Sequence, residues 1–420
     1  MPLAEARRSQ KKLPKIVEFC ANCAGRTNYP RFMADQYTEV SSQSYISRLG
    51  NSLLGMLLGI GLLVGSVLLL YWNEGRAVDA SRALANGERQ VVEASVETVD
   101  PKLEGALIHA TGPLTAVTPA KDPVFGIGGS NLVRVQRKVE MFQWQEQEVS
   151  NKHDSVGGTM TTEATFKYHT GWSEKPWNSS KFRYPEGHQN PAMAVRSQSF
   201  NAREIRLGAY RLSDVLLEKI SVFHRVLIDG SVAAPPGYRL DGDGFYLGSG
   251  SATTPAVGDV RITFAGVPEQ TISVVAGVSS GMFDAFREPN GYAIAIGQPG
   301  VATSEVLFHV AKGQESGRTW ILRGVGALLM LLGFIFAAGP VVTLLAFLPL
   351  LEGMAQAGVF LIALTLTLPL TIATIAVAWF AHRPLISVGL GIGAVIVFFL
   401  LRSAHPKAQP AGATSRVAPR

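Results

Sequence analysis

Apolar positions along this chain follow two different patterns. Leu53–Trp72 is an unbroken run with no charge, bounded by Asn73, Glu74 and Arg76. At 1.5 Å per residue such a helix spans about 30 Å, the hydrocarbon thickness of a bilayer. Only Ser66 interrupts it, so it lacks the polar face of a soluble helix. Tyr71 and Trp72 close it, where amphipathic rings favour the membrane interface. Its start at residue 53, with no small-residue cleavage pattern soon after, excludes a secretory signal.

Three more apolar blocks crowd into Gly324–Leu401. The pattern predicts a span over 324–345, bent or ended by Gly339-Pro340 and Pro349, then an interfacial segment over 346–357. Further spans are predicted over 358–380 and 385–401, joined by the tight turn His382-Arg383-Pro384. Four spans would put both termini on one side of the membrane and the segment 77–323 alone on the other.

Within 77–323 the period changes from helical to alternating. A short helix is predicted beyond Arg76 through Ala85, stopped at Asn86-Gly87, followed by strands over Val91–Val96 and Leu107–Thr111, the latter closed by Gly112-Pro113. In Asn131–Trp144, Val133, Val135, Val139 and Met141 share one phase against Arg134, Gln136, Lys138 and Glu140. Phe142 and Trp144 fall in the other phase, which predicts a β-bulge. Thr162, Ala164, Phe166 and Tyr168 alternate as a partner strand would. Ser213–Phe223 reads as a short helix capped by Ser213 and burying Leu216, Leu217 and Ile220. Strands follow at Phe245–Leu247, Val260–Phe264, Ile272–Val275 and Tyr292–Ile296, with Asn290-Gly291 as a hairpin signal. The expected fold class is a multi-pass α-helical membrane protein: four transmembrane helices, one plus three, with a large, mainly antiparallel α+β extramembrane domain.

Charge adds two tails to this plan. The net charge is +6; residues 1–50 hold eight Lys or Arg against four acids, and 402–420 hold Arg402, Lys407, Arg416 and Arg420 with none. Both read as disordered, and basic tails on a membrane protein mark the cytoplasmic side or meet anionic lipid more often than they bind nucleic acid. Close flanks give no orientation, since Arg48 precedes the first span while Arg76, Arg82 and Arg89 follow it. Cys20 and Cys23 are the only cysteines, so no disulfide supports the domain, and their spacing lacks the second ligand pair a zinc site needs.

Candidate chemistry is sparse. No His-Glu-x-x-His, Gly-x-Ser-x-Gly or phosphate-binding Gly-Lys-Ser/Thr motif occurs. His109 sits in a strand pattern that favours a structural role, and the Asp241–Gly244 turn lacks a calcium loop's carboxylate, with Ala252 at its twelfth position. No catalytic, cofactor-binding or metal-binding residue is therefore assigned. Thr365, Thr367, Thr371 and Thr374 with Pro369 make the third span polar, yet no span carries Lys, Arg, Asp or Glu, so helix packing is the expectation. Glu74 and Arg76 are expected to anchor the domain at the headgroup boundary.

Several short strings resemble the transmembrane protein 43 (TMEM43, LUMA) family. They are Asn-Glu-Gly-Arg-Ala at 73–77, Val-Glu-Met-Phe-Gln-Trp at 139–144, His-Gln-Asn-Pro at 188–191, Val-Gly-Asp-Val-Arg at 257–261 and Arg-Pro-Leu at 383–385. The resemblance covers about residues 45–402. It implies a lumenal domain with cytosolic or nucleoplasmic termini, self-association, and a role in organising nuclear-envelope proteins of the lamin and emerin type in animal members. In bacterial members the same placement means an inner membrane with a periplasmic domain, which the composition of this chain favours, and lamin or emerin cannot then be partners. The expected function is a non-enzymatic membrane scaffold and homo-oligomer whose partners are the bilayer and other membrane or envelope proteins, without cofactor or nucleic acid. Two alternatives stay open: a pore subunit built on the third-span threonines, and a membrane-tethered envelope enzyme using the loop around Trp172 and Trp177.

Overall fold

The computed structural model describes residues 35–383, apart from 130, 157, 221, 229–231 and 347–348. The fourth span expected over 385–401, the tail after it, and Cys20 and Cys23 lie outside the described residues.

Among the described residues, three helices are long and apolar enough to cross a membrane. The first, α1, runs from Tyr45 to Gln90, with Ser44 capping the N–H of Ser47. It contains the first span but does not stop at Asn86-Gly87. Ile294, Leu107 and Phe308 crowd the space a Cβ of Gly87 would need, so this glycine admits the domain's core rather than ending the helix. A second helix, α2 (Asp214–Lys219), lies in the domain and is shorter than the sequence suggested. Ser213 occupies its N-cap position without a capping bond. Next, α3 spans Ser304–Ala337, its start capped by Thr303 and favoured by Glu305 near the positive end of the helix dipole. The sequence placed this helix at 324–345; twenty further residues of it belong to the domain. The break comes at Ala338, after which Pro340 opens the short α4 (Gly339–Leu345). Finally α5 (Pro349–His382) takes in most of the segment expected to be interfacial and continues through Pro369.

Helix direction follows from the contacts. Gly59 of α1 lies against Gly333 and Ala337 of α3, and Leu70 against Gly326, so the two run antiparallel. A Cβ on Gly59 would sit 2.5 Å from the Ala337 nitrogen, which explains the small residue. Gly55, Gly61 and Gly65 have no neighbour within 4 Å among the described residues. Since Glu352 meets Arg48 and His382 meets Gly75, α5 runs parallel to α1.

The strands are β1 (Gln36–Gln43), β2 (Val92–Glu93), β3 (Leu107–Thr118), β4 (Leu132–Asp154), β5 (Met160–Ser173), β6 (Gln198–Asn201), β7 (Arg203–Leu207), β8 (Tyr210–Leu212) and β9 (His224–Arg225). They continue with β10 (Arg239–Asp241), β11 (Gly244–Leu247), β12 (Val260–Pro268), β13 (Gln270–Ser279), β14 (Met282–Asp284), β15 (Phe286–Arg287), β16 (Ala293–Ile294) and β17 (Ile296–Pro299). One sheet has the order β1-β5-β4-β12-β11-β10. The second closes on itself, because β13 pairs both β3 and β14, and β3 returns to β14 through β7 and β8. Between the two sheets, Val133 and Val267 of the first meet Ile108, Leu114, Leu207 and Val274 of the second, all fully buried. Each such side chain contributes roughly 1.5–3 kcal/mol of transfer free energy.

Two strand expectations change. Instead of closing at Gly112-Pro113, β3 runs on to Thr118, since Val96 fills the space beside Gly112 and the Pro113 carbonyl accepts from Gly208. No bulge interrupts β4 at Phe142, because its register with β5 is continuous from Met141 to Asp154. The odd-numbered face stays inward through buried Gln143, and the irregularity lies instead opposite Val267-Pro268.

Beyond Met141, β4 and β5 leave the core as a long ribbon. Residues 36–43, expected within the tail, form its third strand, in register from Gln36 opposite Lys167 to Gln43 opposite Met160. The turn of this ribbon reaches the start of α1: Gly158 packs on the Tyr45 ring and accepts a hydrogen bond from Arg48 at 3.0 Å. From Arg48 to Glu74, α1 rises about 39 Å; from Met141 to Asp154, β4 extends about 43 Å. The ribbon therefore covers the same height as Leu53–Trp72, and residues 147–153 of β4 are exposed along it.

Candidate functional site at the junction of domain and helices

The string 73–77 forms the centre of the junction. Glu74 is 1% exposed and accepts from Arg323 Nε at 2.6 Å, Arg323 Nη2 at 2.8 Å and Trp379 Nε1 at 2.8 Å, so one carboxylate ties α1 to α3 and α5. Charge-assisted, bidentate bonds of this kind are among the stronger polar contacts. Asn73 donates to the Thr319 carbonyl at 3.2 Å. Arg76 pairs with Glu315 and donates to Thr319 Oγ1 at 3.1 Å. Glu315 in turn accepts from the Tyr292 hydroxyl at 3.2 Å. Burial, with Glu315 beside it, pushes the Tyr292 hydroxyl up to about 12, so it remains a donor at neutral pH. Glu74 points inward between helices, and it and Arg76 fasten helix to helix rather than domain to membrane surface. Arg383 joins the same locus, its guanidinium 4.7 Å from the centroid of the Trp379 ring.

The strings at 139–144, 188–191 and 257–261 meet in a second cluster at the root of the ribbon. Asn190 receives the Trp144 N–H at 2.7 Å and donates back to the Trp144 carbonyl at 2.9 Å, standing in for a neighbouring strand. His188 is 1% exposed, stacked on Tyr168 at 3.9 Å between centroids and edge-on to Trp144. Phe142 exchanges backbone bonds with Asp259 and Gly258, each 2.8 Å. Asp259 accepts from Tyr246 Oη at 2.7 Å and from the N–H groups of Ala256, Gly250 and Ser249. Gly248, at φ +136°, is needed because a Cβ there would lie 1.9 Å from Asp259 Oδ1.

Burial raises the Asp259 carboxyl, yet the bonds it receives outweigh that and hold it below the ordinary 3.8. The stability these bonds give is therefore complete above pH 3.8 and lost as pH falls through the lower folded value. Urea midpoints measured at pH 7, 5 and 3 should be flat between the first two and fall at the third. Asp259→Asn should be less stable at pH 7 and fall less steeply below pH 4.

Residues weighed for chemistry find structural partners. His109 lies between Glu93 and the Ala302 carbonyl, 2.9 Å from its Nε2. Trp172 pairs with Phe142 in the β4–β5 ladder, packs on its ring, and lies under Arg261, so the loop expected around it is a strand there. Asp241–Gly244 is the β10–β11 hairpin turn. Among the described residues no group of three His, Cys, Asp or Glu side chains could hold a metal. Thr371 donates to Met330 of α3, while Thr374 and Thr365 bond back to carbonyls of their own helix. Thr367 is buried, its hydroxyl unmatched among the described residues. Arg323 and Trp379 are not legible in the sequence as partners of Glu74, because nothing local pairs residues 249 and 305 positions apart.

The sequence profile of the family described as Transmembrane protein 43 matches residues 141–384. Transmembrane protein 43 of Mus musculus is 30% identical over 390 residues, 88% of this chain and 96% of the mouse protein. The Homo sapiens protein is 29% identical over 378 residues, 87% and 94% of the two chains. The Drosophila melanogaster homolog is 32% identical over 342 residues, 79% and 89%. No solved structure matches.

Proposed function

The chain belongs to the transmembrane protein 43 family, and from that premise we propose that it is a non-enzymatic, multi-pass membrane scaffold that self-associates and gathers other membrane or envelope proteins around its domain. The observation that carries this reading is the ribbon of β1, β5 and β4. Its strands bear residues such as Glu148, Ser150, Lys152 and Glu163, and one edge is the side of β1 that pairs with no strand among the described residues. Lipid-exposed sheet edges do not occur at hydrocarbon depth, because their backbone groups have no partner there. A polar ribbon level with Leu53–Trp72 therefore belongs on the side of the helices that faces protein or water, and further copies of this chain supply that cover. Gly61 and Gly65 of α1, which meet no neighbour among the described residues, support close helix contact between copies. Composition supports a bacterial source, for which the family's placement is an inner membrane with the domain in the periplasm.

The test is the mass of the full chain in mild detergent, corrected for bound detergent. A defined multiple of 45.0 kDa is expected; a monomer at every concentration overturns self-association. A second reading, a pore, is favoured by the same ribbon, which would line a water path if copies turned it inward. Thr371 offers it little, being engaged with Met330. Ion flux from liposomes carrying the oligomer would support the pore, and none would dismiss it.

A further inference from the structure

Where the ribbon turn meets α1 and α5, a cavity of about 440 Å³ is lined by Gln43, Arg48, Asn51, Lys152, Glu352 and Gln356 among others. We propose that this cavity binds the headgroup of an amine-bearing phospholipid, a phosphate diester carrying a primary ammonium. The proposal stands apart from self-association and needs only one copy of the chain.

Place comes first. Arg48 lies just before the apolar run that begins at Leu53, and Glu352 just before the one that begins at Gly358. Both groups thus sit at headgroup level, at the end of the helices opposite the junction with the domain. The walls are held in position. Arg48 is 9% exposed and engages the Gly158 carbonyl and Glu352 together. Glu352 has a side chain only 5% exposed. Its Oε1 receives Arg48 and, at 3.4 Å, Gln356 Nε2, whereas its Oε2 is buried with no donor among the described residues.

Chemistry then selects the ligand. An ionised carboxylate accepts on both oxygens, so Oε2, closed to solvent while the cavity is empty, can take a donor once the carboxylate turns toward it, and a primary ammonium brings three. Lys152, from the ribbon, and the amides of Gln43 and Asn51 present N–H groups suited to a phosphate. The cavity thus carries an acceptor and a set of donors, the arrangement a zwitterion matches. A trimethylated ammonium has no N–H to give, and a glycerol headgroup has no cation.

The test is native mass spectrometry of the full-length protein released from micelles holding equal amounts of phosphatidylethanolamine, phosphatidylcholine and phosphatidylglycerol. Ethanolamine lipid should be retained about tenfold over the other two, the scale of one hydrogen bond to a charged group. Lys152→Met should lower retention of all three lipids, which share the phosphate, while Glu352→Gln should bring the ethanolamine lipid down to the choline-lipid level. Because Glu352→Gln also weakens the partner of Arg48, the ranking of the three lipids on the wild-type protein and their common loss with Lys152→Met decide if that variant is unstable. Equal retention of the three lipids, preference for the glycerol lipid, or retention untouched by Lys152→Met would overturn the proposal. Soluble O-phosphoethanolamine distinguishes the source. Displacement of bound lipid by it confirms the shared headgroup chemistry, while binding of it by protein that retains no ethanolamine lipid would overturn the lipid assignment.

Discussion

Glu74→Ala is expected to lower the stability of the full-length protein in detergent by about 3–5 kcal/mol, the range for removing one partner of a buried ion pair. The substitution leaves Arg323, 17% exposed at its side chain, without its carboxylate and also takes the acceptor from Trp379 Nε1. Three helices lose their common tie at once, so chemical denaturation should show both a lower midpoint and earlier separation of α5. Glu74→Gln should cost less, since an amide oxygen still accepts one of the bonds. The double substitution Glu74→Leu with Arg323→Met should recover much of the loss, because a buried pair replaced by apolar side chains avoids the desolvation penalty on both sides. A loss below about 1 kcal/mol for Glu74→Ala would place this contact with ordinary surface pairs and refute its role as the junction's centre.

Asp122→Ala should be comparably severe, and confined to the domain. Asp122 is fully buried and receives Arg137 Nη1 on both oxygens, at 3.0 and 2.7 Å, together with the N–H groups of Val124 and Phe125. Arg137, 4% exposed, also donates to the Arg196 carbonyl and lies 5.4 Å from the ring centroids of Phe125 and Phe200. Without Asp122 this guanidinium is buried beside aromatic rings with no counter-charge. A loss of about 3–5 kcal/mol corresponds to a fall in melting temperature of about 6–20 °C for a domain of this size. Limited proteolysis of the whole protein should then cut between residues 120 and 200 first. A melting temperature within about 2 °C of wild type would refute the assignment.

The junction was legible in the sequence only in part. Asn73, Glu74 and Arg76 were conspicuous as polar residues directly after an apolar run, but a residue's partners three hundred positions away leave no periodic trace. Arg137 was similarly hidden: its position on the apolar phase of β4 reads as a lapse in alternation until Asp122, from another loop, is brought beside it. The bulge expected at Phe142 failed for a related reason. Large aromatics suggested a change of face, whereas Gln143 stays inward because its amide meets the Trp177 N–H and the Lys175 carbonyl.

What the sequence determined by itself is whatever depends on local composition. Leu53–Trp72 must be a helix in lipid, because twenty apolar residues satisfy their backbone groups no other way there. The alternation in β4, β5 and β12 fixes strands, and the short strings carry the family resemblance. The tertiary structure alone decided where elements end and what they meet. Gly87 did not stop α1, since Phe308 and Ile294 needed its missing side chain. Residues 36–43 became a strand only because β5 offered a free edge. Hydrogen bonds and packing between distant segments set those outcomes, and no pattern within one segment encodes them.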